Sequence, residues 1–129
     1  GTTLPALTAS LADAGVTLLV DVRAVASSRR PGFAKTRLAA GIAESGIGYR
    51  HLRGLGTPAD GRAAARAGEH GTMRTIFAEH LGTPAAQADL DVLEGLVRDG
   101  TRVAILCFEA DPRHCHRTLV AQALAARLP

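Results

Sequence analysis

Both cysteines of this chain fall in one short stretch, Cys107-Phe108-Glu109-Ala110-Asp111-Pro112-Arg113-His114-Cys115-His116-Arg117, along with two of its five histidines. Thiols, imidazoles, carboxylates and guanidinium groups at this density could carry nucleophilic or acid/base steps on an anionic group. The apolar run Val103-Ala104-Ile105-Leu106 precedes the stretch and a helical pattern, Thr118 to Leu128, follows it. A strand ending in a polar loop that opens a helix is where open α/β sheets place their sites.

Several chemistries compete for these residues. Cys107 and Arg113 have the Cys-x5-Arg spacing of a cysteine phosphatase loop, which cradles an oxyanion in inward-pointing N–H groups. Here Pro112 removes one N–H, and Glu109 and Asp111 bring negative charge to a dianion's cradle. A sulfurtransferase meets the same objection in milder form. Asp111-Pro112 is a good helix start, with Asp as cap and Pro at the first helical position. It would set Cys115, His116 and Arg117 in the first turns, where a thiol's pKa falls.

Both cysteines can equally be buried apolar residues. Cys107, Cys115, His116 and either His114 or Glu109 have the chemistry of zinc ligands. Cys115 and His116 are neighbours, though, and on a helix they diverge by about 100°. The reading therefore assigns no metal or other cofactor and keeps zinc as an alternative. A Cys107–Cys115 redox pair requires the loop to fold back.

These side chains need a frame. The 129 residues, 47% of them hydrophobic, suit one domain with one core. No apolar run reaches the roughly 18–20 residues of a membrane span, and positions 1–20 lack the pattern of a signal peptide. Two cysteines without a framework of spacings point to a reducing cytoplasm. The net charge is +3. Arginine supplies every basic residue except Lys35, which would suit phosphate contact but also follows from a composition rich in Ala, Gly and Arg. Aromatic residues make up only 3% of the chain. That is too few for the stacking platform of a general single-strand binder, though not for a pocket holding one nucleotide.

Hydrophobic spacing predicts helices over 3–14, 33–45, 72–81, 84–98 and 118–128, and strands over 16–20, 47–52 and 103–106. The segment from Asp60 to Gly71 reads as a mobile loop or a short helix. Strands alternating with helices imply a small three-layer α/β fold, a mainly parallel sheet with helices on both faces. Asp21 and Arg23 end the first strand; Cys107 and Glu109 end the last. If those strands are neighbours, all four converge on the start of the final helix. Asp21 either pairs with Arg23 or Arg117 and locks the loop, or acts as acid/base beside arginines that bind an anion. Glu109 is either a general base or the carboxylate that orients a histidine ring. His51, His70 and His80 have no local partners and read as surface or loop residues.

Leu19-Val20-Asp21-Val22-Arg23, Ser28-Arg29, Phe33, Gly46-Ile47, Tyr49 and Leu55-Gly56 resemble, in order, the DUF488 family. The ending, Cys107-Phe108-Glu109 through Asp111-Pro112 to Cys115-His116-Arg117, resembles it too. The resemblance implies a small cytoplasmic α/β protein and gives no reaction. It adds Arg29 and Tyr49 to Arg23 and Arg117 as candidate substrate contacts. Two departures stand out. Family members usually begin with a strand ending in a Gly-His or Gly-Ser step, of which only Gly1 could be a remnant, so a native N-terminal strand is expected to be missing. The loop after Asp-Val-Arg usually carries a proline where this chain has Ala26.

The expectation is a single domain over residues 1–129 and an enzyme with a pocket at the C-terminal edge of its sheet. Its candidate catalytic residues are Cys107, Glu109, Cys115, His116 and Asp21, acting on a small anionic, nucleotide-like substrate. The alternatives are a nucleic-acid-associated module with a structural Cys/His/Arg cluster, or a zinc-binding domain. No membrane partner is expected, and the oligomeric state is left open.

Overall fold

A computed structural model describes residues 3–25, 32–107 and 116–128. Helices α1 (Leu4–Asp13) and α5 (Pro84–Arg98) start alike. In each a threonine precedes a helix with proline in its first positions, and its hydroxyl accepts a backbone N–H: Thr3 from Ala6 at 3.2 Å and Thr83 from Ala86 at 3.3 Å. The cap satisfies an amide that has no partner within the helix.

Between these helices run β1 (Leu18–Asp21), α2 (Lys35–Ala43), β2 (Gly48–His51), a 3₁₀ turn (Arg53–Leu55), α3 (Ala59–Arg66) and α4 (His70–Leu81). After α5 come β3 (Val103–Leu106) and α6 (His116–Ala125). The strands form a parallel sheet in the order β2-β1-β3. Alternate side chains of a strand face opposite sides, and two apolar clusters divide accordingly. Val20, Val22, Ile105 and Cys107 pack with Met73, Phe77, Leu93, Val120 and Leu124 of α4, α5 and α6. Leu19, Ala104 and Leu106 pack with Leu11, Leu38 and Ile42 of α1 and α2. The sheet is therefore the middle of three layers, and the expected small α/β architecture is the observed one.

The segment over 60–71 is helical. It forms α3 and the first residues of α4, which begins at His70 rather than Thr72. Of the two readings of this segment the short helix is the observed one; its low apolar content leaves the loop open in sequence alone. What it buries is small, Gly61 and Ala64 on α3, while the larger Met73 and Phe77 lie on α4. Gly68, at φ +80°, makes the turn between the two helices in a conformation that side chains rarely adopt.

Candidate functional site

The carboxyl ends of all three strands lie along one edge. Because β1 is central, the chain leaves it for β2 on one side and later reaches β3 on the other. In open α/β sheets such a change of direction is where a ligand crevice is expected, outside the carboxyl ends of β1 and β3. Among the described residues four polar or charged side chains are buried: Asp21, Arg23, Thr57 and His116. All four lie at or after the carboxyl ends of strands, or at the start of α6. Burying polar groups costs free energy unless they are partnered, so their concentration at one edge needs a reason.

On the α1–α2 face the reason is a latch. Asp21 and Arg23 are two residues apart and share that face. Asp21 Oδ1 accepts from the Arg23 backbone N–H at 3.0 Å and from Nε at 2.8 Å. Its Oδ2 accepts from Arg23 Nη2 at 2.6 Å and from the Tyr49 hydroxyl. Tyr49 lies opposite Leu19 in register, so its ring reaches up the same face. Arg23 Nη1 donates to the Phe33 carbonyl at 2.8 Å, which ties the latch to the approach of α2. Burial opposes ionisation of Asp21, but the bonds from Arg23 and Tyr49 outweigh it and hold the carboxyl below its ordinary value. Burial and the neighbouring carboxylate together push the Tyr49 phenol up, so it stays a donor.

The opposite face carries Val22, Cys107 and His116. Val22 N–H donates to the Leu106 carbonyl at 3.0 Å, extending the β1–β3 pairing by one bond. The Val22 carbonyl accepts from His116 Nε2 at 2.9 Å. A carbonyl can only accept, so Nε2 carries the proton and Nδ1 keeps its lone pair. Burial holds the His116 imidazole below its ordinary value, aided by the charge of Arg117 and opposed by the bond to Val22. The ring is therefore neutral at neutral pH. The Phe77 ring meets it edge-on, centroids 5.1 Å apart. Cys107 is buried beside Val22 and is disulfide-bonded.

The segment after β2 closes against the one after β1. A Cβ on Gly56 would collide with the Ala24 backbone at Cα and N. Gly56 has ordinary extended backbone angles, so space, not conformation, demands glycine. Gly56→Ala should cost about 1–3 kcal/mol through overpacking against backbone that cannot yield. Gly95→Ala in α5, where nothing lies within 4 Å, should stabilise by up to about 1 kcal/mol. Urea midpoints of the two variants check the pair. Equal shifts would show that the approach to Ala24 is not tight.

The predicted site residues thus divide. Asp21, Arg23 and Tyr49 are joined on one face; Cys107 and His116 stand on the other; Val22 and the Arg23 backbone link them. Arg117, the second residue of α6, is half-buried. Arg29, Ala26, Glu109, Cys115 and the Asp111-Pro112 helix start lie outside the described residues, as does His114 of the zinc alternative. Among the described residues no group of three His, Cys, Asp or Glu side chains could hold a metal ion. No described helix is long and apolar enough to cross a membrane.

Two histidines that the sequence left without partners have them. His51 Nε2 bonds the Arg23 carbonyl at 2.6 Å, and His80 Nε2 bonds the Gly54 carbonyl at 2.7 Å. Asp89 holds the Gly54 N–H at 2.6 Å. Histidines therefore grip three backbone carbonyls at this edge. The only signal in sequence is that His51 sits near the end of a predicted strand and His80 near the end of a predicted helix.

The family model described as a domain of unknown function, DUF488, matches residues 3–124. No curated protein and no solved structure matches the chain.

Proposed function

Since the chain belongs to the DUF488 family, whose description carries no reaction, we propose its function from the crevice itself: an enzyme acting on a small anionic substrate, of the phosphate-bearing, nucleotide-like class. One observation carries the reading. The buried polar and charged side chains of the described residues gather at the edge of the sheet where α/β folds bind ligands.

In this reading Asp21, Arg23 and Tyr49 hold the backbone that frames the crevice. His116, neutral and fixed through Nε2, offers Nδ1 as the acid/base group. Arg117 neutralises the anion. Cys107 or Cys115, as thiol, would be the nucleophile, with Glu109 orienting or accepting a proton. Arg23 and Arg29 were expected to contact substrate. Arg23 contributes by fixing the Val22–Ala24 turn, since its guanidinium is committed to Asp21 and Phe33, and Arg29, outside the described residues, is kept as a proposed anion contact.

The test is a titration of the reduced protein with inorganic phosphate and with a nucleoside monophosphate. His116 ring nitrogens are followed by NMR. Saturable perturbation at Nδ1, weakened at least tenfold in Arg117→Met, is the expected result. No perturbation up to millimolar ligand would overturn the reading. A steep salt dependence with single-stranded oligonucleotides, and none with mononucleotides, would favour a nucleic-acid module instead.

A further inference from the structure

The two edges of the sheet differ in what they offer a neighbour. β2, Gly48-Tyr49-Arg50-His51, carries the exposed Arg50, a charge of the kind that keeps edge strands apart. β3, at the other edge, is Val103-Ala104-Ile105-Leu106, apolar throughout, with every residue only half-buried. An exposed apolar edge is a template for a further strand.

The register of β3 with β1 fixes which of its backbone groups face outward. Leu18 N–H donates to the Arg102 carbonyl at 3.3 Å, and Val22 N–H to the Leu106 carbonyl at 3.0 Å. Backbone groups alternate sides along a strand, so Arg102, Ala104 and Leu106 turn theirs to β1, and Val103 and Ile105 turn theirs away. Among the described residues no strand or loop bonds those two N–H and two C=O groups. We propose that they pair with the same groups of a second copy of this chain, antiparallel across a two-fold axis, so that two three-stranded sheets join into one of six strands.

The occupant is a second copy because this edge, unlike the other, is complementary to itself. An axis through Ala104 sets Val103 opposite the partner's Ile105, and Ile105 opposite the partner's Val103. Each such pair exchanges two N–H···O=C bonds, four in all. Ala104, the smallest side chain of β3, then meets the partner's Ala104 at the non-bonded position, where antiparallel strands approach most closely. Val103 and Ile105 belong to the cluster on the α4–α6 face, so they form cross-strand β-branched pairs on that face. No charge opposes the approach: Arg102, next in sequence, is tied to the Ala14 carbonyl at 3.1 Å. The same operation on β2 would set Arg50 against the partner's Arg50, like charges directly opposed. Joining β3 of one copy to β2 of the next would leave a free edge at each end and grow an open filament instead of a closed dimer. Four residues a side make a small interface, so the dimer is one that dilution dissociates.

The experiment uses the whole chain. Sedimentation equilibrium from micromolar to millimolar protein should show twice the chain mass of 13.3 kDa at the upper end and dissociation on dilution. Amide hydrogen exchange distinguishes this edge from any other interface. Val103 and Ile105 should exchange at least tenfold more slowly at the concentrated end, while Ala104 and Leu106, bonded to β1, hold steady. Val103→Pro deletes one outward N–H and none that bonds β1, a place where an edge strand tolerates proline. It should raise the dissociation constant at least tenfold with an unchanged circular dichroism spectrum.

A monomer at millimolar protein, open-ended growth in mass, or a dimer whose Val103 and Ile105 exchange ignores concentration would each overturn the proposal. So would protection of both amides in the monomer, which would mean that the edge is covered within one chain. The wild-type readouts stand even if Val103→Pro fails to fold. Phosphate binding is read at His116, so failure of either proposal leaves the other intact.

Discussion

Asp21→Ala should destabilise the protein by about 3–5 kcal/mol, the cost of removing one partner from a buried pair. The variant loses four hydrogen bonds at once and leaves the Arg23 guanidinium, 2% exposed, without its counter-charge. Against a typical total of about 5–15 kcal/mol, that is a large share. Tyr49→Phe removes one donor to the carboxylate and should cost roughly 1.5–3 kcal/mol, toward the lower figure because the ring is only half-buried.

The latch also makes stability depend on pH. The native carboxyl is held below the ordinary 3.8, so in acid the unfolded chain takes up a proton before the native one does. The contribution is fully present above pH 3.8 and is lost as pH falls through the native value. Urea unfolding at several pH values between 7 and 2 should show this slope in the wild type and its reduction in Asp21→Ala. A variant within 1 kcal/mol of wild type at pH 7 would remove the latch from the account of the fold.

What sequence made legible, and what it did not, follows from the range of the forces involved. The strands announced themselves because Leu18-Leu19-Val20 and Val103-Ala104-Ile105-Leu106 are continuously apolar, as strands buried on both faces must be. The caps at Thr3 and Thr83 are local, each hydroxyl three residues from the N–H that donates to it. α3 was legible only as one of two alternatives, a loop or a short helix, because it packs through Gly61 and Ala64, residues without an apolar signature. The histidines were harder still. His51 and His80 grip carbonyls 28 and 26 residues away, and His116 one that is 94 residues away. Backbone carbonyls leave no trace in the identity of the residue that offers them. For Asp21 and Arg23 the ion pair was within reach of sequence, since residues two apart on a strand share a face. That Tyr49 joins them, and that Cys107 takes the opposite face beside Val22, depends on the register of β1 with β2 and β3.

Phe77→Ala should be as damaging as the loss of Asp21, and for a different reason. Phe77 is fully buried, and deleting such a ring costs about 3–5 kcal/mol through lost transfer energy and the cavity left behind. Phe77→Leu, which refills part of that space, should cost less. The functional consequence reaches past stability. The ring neighbours both His80 and His116, with centroids 6.1 Å and 5.1 Å away, and burial is the main cause of the lowered His116 pKa. Opening a cavity beside that imidazole admits water and weakens the cause, so the His116 pKa should move up toward 6.5 in Phe77→Ala. Phe77→Leu should move it less. Ring titration by NMR, on variants shown to be folded, measures the shift. If both variants lose stability while the His116 titration stays where it was, Phe77 supports the core alone. If the two move together, one aromatic ring sets both the packing of α4 against α6 and the protonation state of the His116 ring.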